Sequence, residues 1–144
     1  MSGIVCAIRG GAASRPTIEK AIEVAKETSL PLLFLYVVNL DFLIRTSIGR
    51  THILSKELRE MGKFILLTAQ AQANAENITA EGIVRQGAVR EEVVKLCHER
   101  NAEYVILGKP NHEQEENVFT HEHLDDFANR IQVESGAQII LADR

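Results

Sequence analysis

Residues 32–38, LLFLYVV, are apolar without interruption. A strand with one wet face alternates apolar and polar residues, because successive side chains point to opposite faces. A run without that alternation needs cover on both faces, as in a parallel sheet held between helices. Leu32–Val38 is therefore read as an inner strand, and the rest of the chain should supply further strands and the helices that cover them.

Upstream, Ile4 to Ile8 is a short apolar run closed by Arg9-Gly10-Gly11, which reads as another buried strand. A helix should follow. Ser14 suits its cap, Pro16 its first turn, and Glu19 the positive end of its dipole. Ile18, Ala21, Ile22 and Ala25 give one buried face, with Lys20, Glu23, Lys26 and Glu27 opposite. Ser29-Leu30-Pro31 ends this helix, since the residue before a proline is pushed from helical angles.

Downstream, residues 39–49 have no period and read as a loop. A long helix is expected from about Thr51 to Ala75, with Leu54, Leu58, Met61, Ile65 and Ala69 as its buried stripe. Gly62 inside it costs about 1 kcal/mol relative to alanine. Ile78 to Val84 alternates like a strand near a sheet edge, and Gly87 breaks it. Val89, Val93, Leu96 and Cys97 give a third helix. Tyr104 to Leu107 is a fourth strand, closed by Gly108. Leu124, Phe127, Ala128 and Ile131 give a fourth helix stopped by Gly136, and Ala137 to Ala142 is a fifth strand. Strict alternation of strand and helix implies an α/β fold: a five-stranded parallel sheet with helices on both faces, joined by right-handed crossovers. There is no internal repeat or linker, so residues 1–144 read as one domain.

Composition agrees. Apolar residues are 45% and charged residues 25% of 144, as in an ordinary globular chain rather than a disordered or collagenous one. No apolar run approaches the roughly 18 residues that span a bilayer, and the N-terminus does not read as a signal peptide. Lys and Arg number 16 against 20 Asp and Glu, for a net charge of −4, which is no footprint for nucleic acid. Cys6 and Cys97 share no redox or metal spacing and read as small buried hydrophobes in a cytoplasmic protein.

Taken in order, these elements resemble the universal stress protein family over nearly the whole chain. Ile4 to Ala21 looks like the family's first strand, small-residue loop and first helix. Leu35 to Val38 (LYVV) is similar to its second-strand signature. Ile83 to Gly108, IVRQGAVREEVVKLCHERNAEYVILG, resembles its Val-x-x-Gly turn, helix and "Ala-Asp-Leu-Ile-Val-x-Gly" strand. The resemblance implies a Rossmann-like sheet of order 3-2-1-4-5, reversing direction between strands 1 and 4. Ligands of open α/β sheets sit at such a switch point, outside the carboxyl ends of the strands. The nucleotide-cleft positions it implies here are Arg9, Gly10, Gly11, Val38, Gly108, Lys109 and Asn111.

The chain departs from the family's nucleotide-binding pattern. Arg9 stands where an acid serves the ribose. Gly108 matches the first glycine of the Gly-x2-Gly-x9-Gly-Ser/Thr phosphate loop, but the second position is Asn111. Nine residues further come His121-Glu122, and alignment back from strand 5 puts Asp125-Asp126 at the Gly-Ser place. Main-chain N–H groups grip phosphate where glycine allows close approach. Glu113, Glu115, Glu116, Glu122, Asp125 and Asp126 fall between Asn111 and Asn129 with no Lys or Arg. Each like charge about 10 Å from a phosphate costs about 0.4 kcal/mol in water. Weak or absent ATP binding is the expectation. Arg9 and Lys109 oppose it, and Mg²⁺ can bridge carboxylate and phosphate.

Other constellations carry less. His112, His121 and His123 lack H-E-x-x-H spacing, so no metal is assigned and a solvated acidic segment is the expectation. Gly10-Gly11 before a helix reads as a tight turn or an anion site. Asp125 and Asp126 are expected to favour the fourth helix's N-terminal dipole. Ser14 has no histidine partner, and adjacent Cys97 and His98 splay apart on a helix, so no catalytic residue is assigned.

A fifth strand at the edge, Gln138, Ile139, Ile140, Leu141 and Ala142, leaves backbone groups to be covered, and Asp143-Arg144 is too short to cover them. The resemblance implies a homodimer paired through this strand. Two readings follow. One is a non-enzymatic, dimeric stress-response protein acting on unidentified protein partners, with no cofactor. The other is an adenine-nucleotide sensor binding ATP through a remodelled loop.

Overall fold

The computed structural model describes residues 3–9, 14–38, 51–108 and 121–142, with only the backbone path for 51–55 and 121–127. Its strands are β1 (Gly3–Ala7), β2 (Leu32–Val38), β3 (Ala80–Gln86), β4 (Ala102–Gly108) and β5 (Gln138–Ala142). Its helices are α1 (Arg15–Thr28), α2 (Thr51–Ala75), α3 (Val89–Arg100) and α4 (His121–Ser135). The sheet is parallel and five-stranded, in the order β3-β2-β1-β4-β5. This is the order implied by the resemblance, with β3 and β5 at the edges. The third strand starts and ends two residues later than its alternation suggested, pairing Leu32 with Ala80 through Val38 with Gln86. The residues 39–49 read as a loop lie outside the described residues.

The pleat divides the core by residue parity. Ile4, Cys6, Leu32, Phe34 and Ile106 face α1 and α2, meeting Ile18, Ala21, Ile22, Leu66, Ala69 and Ala73. Val5, Leu33, Leu35, Val105 and Leu107 face the opposite layer, meeting Val93, Leu96, Cys97 and Ile131. The uninterrupted LLFLYVV run thus feeds both layers, odd residues to one and even to the other. α1 ends where expected, with Ser29 in the left-handed region at φ 60 and its N–H on the Ala25 carbonyl at 2.8 Å.

Two expectations about helices need correction. Met61 is not on the buried stripe of α2; it is 52% exposed. The stripe runs through Gly62, Leu66, Ala69 and Ala73, because only a residue without a side chain fits against the Tyr36 ring. Asp125 and Asp126 are not in the first turn of α4, which begins at His121.

Both cysteines are free and buried. Burial pushes the Cys6 thiol far up, and it pushes Cys97 up to about 11, against an opposing hydrogen bond with Ser135. Burying a neutral thiol favours the folded state only while the unfolded thiol also stays protonated. Stability is therefore expected to hold below the ordinary thiol pKa and to fall as pH rises from there toward 11. Chemical denaturation across that range checks this. Near pH 8, a thiol reagent should label the native protein only as fast as it unfolds.

Candidate functional site

β1 and β4 lie side by side, and the chain leaves their carboxyl ends in opposite lateral directions, toward β2 and toward β5. That divergence opens a crevice, the place where open α/β sheets take ligands. Ile8 extends the β1 ladder by one bond, its N–H on the Leu35 carbonyl at 2.9 Å. Arg9 follows, with an exposed residue surface, and its backbone N–H donates to Ser14 Oγ at 3.2 Å.

This bond revises the role expected of Ser14. The residue does sit at the N-cap of α1, but with helical angles (φ −84, ψ −12), and its side chain makes no cap bond. A capping serine needs extended angles to turn its oxygen over the first N–H groups. Here the hydroxyl closes the loop after β1 instead. Glu19 likewise lies past the first turn, which holds no acid; it sits 3.5 Å from Arg15 on the exposed surface.

Nothing in the sequence marks Thr17. It is 3% exposed; its carbonyl accepts from Cys6 Sγ at 3.9 Å, and its side chain lies against Gly108. A Cβ at position 108 would overlap Thr17 Oγ1. Gly108 thus has a visible packing duty: it lets the first turn of α1 press onto the end of β4. Ser14, Thr17 and Glu92 are the buried polar side chains of the described residues. Two of them, Ser14 and Thr17, lie at the start of α1.

Among the sequence-derived cleft positions, the structure brings Arg9 and Gly108 to the switch point. Val38 ends the neighbouring β2; it is 2% exposed, with its carbonyl accepting from the Gly87 N–H at 2.9 Å. Gly10, Gly11, Lys109 and Asn111 lie outside the described residues, as do His112 and the acids at 113, 115 and 116. Among the described residues, no group of three or more His, Cys, Asp or Glu is placed to hold a metal ion. None of the helices searched there is long and apolar enough to cross a membrane.

A groove of about 440 Å³ lies at the other end of the sheet, between the amino ends of β1 to β4. Its walls include Glu81 and Arg100, paired at 2.9 Å. Strand amino ends are not where this topology collects a ligand.

The two sheet edges differ. β3 carries Glu81 and Arg85, tied to α3 through Arg100 at 2.9 Å and Glu99 at 3.0 Å. The Arg85 hydrogen bond holds the Glu99 carboxyl below its usual range. β5 carries no charge, and Ile139, Ile140 and Leu141 are half-buried. One of its amides is already held: Ile139 N–H donates to Gln132 Oε1 at 3.1 Å.

Comparison with known proteins adds the following. A family model described as the universal stress protein family matches residues 1–133. None of the curated proteins compared matches the chain. The universal stress protein UspA from Lactobacillus plantarum superposes with a TM-score of 0.77 at 13% identity, over 98% of this chain and 97% of that one. A universal stress family protein from Burkholderia pseudomallei gives 0.72 at 19% identity, over 96% and 94%. A universal stress protein from Archaeoglobus fulgidus, solved in complex with dAMP, gives 0.65 at 15% identity, over 99% and 98%. At these identities the likeness to solved structures speaks for the fold.

Proposed function

The chain belongs to the universal stress protein family, and from that premise we propose that it is a non-enzymatic, homodimeric stress-response protein of the cytoplasm, one domain over residues 1–144, acting through protein contacts. The contrast between the sheet edges carries this reading. Charged side chains along β3 deter strand addition, while an uncharged, half-buried edge at β5 invites it. Pairing of β5 with its two-fold mate buries the same patch on both subunits, the usual form of soluble dimers. It does so beside or in place of the Gln132 contact.

The test is the solution mass. The unaltered chain should weigh twice 16.0 kDa by light scattering. Ile140→Lys, with unchanged circular dichroism, should weaken β5 pairing, because two like charges would then meet across the dyad. A monomeric unaltered chain at every concentration would remove the dimer from the reading.

A second reading, an adenine-nucleotide sensor, is favoured by the exposed Arg9 residue at the switch point and by the dAMP complex of the Archaeoglobus fulgidus protein. Against it stand the missing glycines and the run of carboxylates after Asn111, which bear hardest on a polyphosphate. Thermal melts with Mg·ATP and, separately, with dAMP discriminate. Binding at 100-fold the Kd adds about 2.7 kcal/mol and raises Tm by several degrees. No shift with ATP is expected. A rise that grows with ATP concentration favours the sensor; a rise with dAMP alone would mean that the cleft takes the nucleoside monophosphate and rejects the longer phosphate chain.

A further inference from the structure

Gln132 stands in the last turn of α4, and two bonds fix its place. Its carbonyl accepts from the Gly136 N–H at 2.9 Å, and Gly136 turns the chain toward β5 in the left-handed region at φ 78. Its side chain reaches forward, Oε1 accepting from the Ile139 N–H at 3.1 Å. The sheet decides what that amide would otherwise do. The N–H groups of Ile4 and Ile8 donate to the Pro31 and Leu35 carbonyls, so even residues along β1 face β2 and Val5 faces β4. In a parallel pair, a residue facing its neighbour bonds the two residues that flank its register mate. Val5 is in register with Val105, and Val105 with Ile139. Even residues of β4 therefore face β1, and its odd residues face β5. On β5, Gln138, Ile140 and Ala142 face β4, which leaves Ile139 and Leu141 with N–H and C=O pointing off the sheet. Gln132 holds one of these two outward donors.

We propose that Gln132 guards the β5 edge: it competes with the partner strand for the Ile139 N–H and so sets how tightly two copies pair, an inference that rests on the β5 dimer. In an antiparallel pair, the outward residues are the ones that exchange hydrogen bonds. With Ile139 occupied, Leu141 is the outward donor left, and full pairing requires Gln132 to let go. Gln132 is an exposed residue, so water takes up its amide on release and one hydrogen bond replaces another. β5 itself carries no charged side chain to deter strand addition. The Gln132 amide supplies that deterrent without a charge, and it restrains the pairing without forbidding it.

The test compares the full chain with Gln132→Ala, reading the dimer dissociation constant by light scattering over a dilution series. Alanine suits the helix, so circular dichroism should not change. Each subunit gives up one competing bond, and two such bonds at ordinary net strength should make the variant dimer about 30-fold tighter. Amide exchange gives a second readout. In the Ile140→Lys chain, diluted until monomeric, adding Gln132→Ala should speed exchange at Ile139 and leave Leu141 unchanged. In the Gln132→Ala dimer, Ile139 should be protected again. A dimeric unaltered chain whose Gln132→Ala variant dissociates as readily, or more so, overturns the guard and leaves the dimer standing. A monomeric unaltered chain whose Gln132→Ala variant dimerises supports the guard and removes the dimer from the unaltered protein. Both chains monomeric at every concentration overturn the two together. An Ile139 amide that exchanges at the same rate with and without Gln132 in the monomer also overturns the guard.

Discussion

Phe34→Ala is expected to remove about 3–5 kcal/mol of stability, the usual range for truncating a buried phenylalanine. Phe34 is 0% exposed at the centre of β2, flanked by Cys6 on β1 and Gly82 on β3. Ala21 of α1 and Ala69 of α2 belong to the same buried cluster. Small neighbours cannot extend into the space left behind, so relaxation is limited and the loss should fall toward the upper end. Against a total of about 5–15 kcal/mol for an ordinary domain, this removes about a fifth at the least. Urea denaturation at one fixed protein concentration, needed because association adds to apparent stability, should give a lower midpoint with an unchanged slope. Phe34→Leu, closer in volume, should lose less than about 1.5 kcal/mol. Equal losses for the two variants would mean that the ring does not fill the layer under α1 and α2.

The sheet was legible in the sequence because burial on both faces leaves a direct trace: seven apolar residues with no alternation at 32–38, and glycine or proline at or near the ends of β1, α1, β3, β4 and α4. The two stripes of α2 show where such reading fails. A helix with apolar residues on opposite sides satisfies the 3.6 period twice, and hydropathy does not say which side meets the sheet. The true stripe passes through Gly62, which contributes no apolar side chain to count, so the period alone points to Met61 instead. Ser14 illustrates a second limit. Its residue type marks the start of a helix, but whether the hydroxyl turns forward to cap or back to Arg9 depends on backbone angles set by the loop. Thr17 left no trace at all, since its burial arises from Gly108, distant in sequence and adjacent in space. The uncharged edge at β5 could be read from QIILA. The Gln132 side chain that holds one of its amides could not, because that contact requires the docking angle of α4.

Gly62→Ala is expected to destabilise the fold, although alanine is the better helix former by about 1 kcal/mol. A Cβ at this position would stand 2.9 Å from Tyr36 Cε1 and 3.1 Å from Cγ, and nearer still to Cδ1. These are atoms of the ring itself rather than the tip of a flexible chain, and Tyr36 is packed against the α1 and α2 layer. Either the ring leaves its place or α2 lifts from β2. Overpacking of this kind costs about 1–3 kcal/mol, so after the propensity gain a net loss of up to about 2 kcal/mol remains. The propensity term and the clash separate in a double-mutant cycle. With Tyr36→Ala already present the obstacle is gone, and Gly62→Ala should then stabilise by about 1 kcal/mol. The sign should reverse between the two backgrounds, since the methyl is the same and only the ring differs. A stabilising Gly62→Ala in the otherwise unaltered chain would mean that α2 does not rest on Tyr36, and the buried stripe through Gly62, Leu66, Ala69 and Ala73 would have to be redrawn.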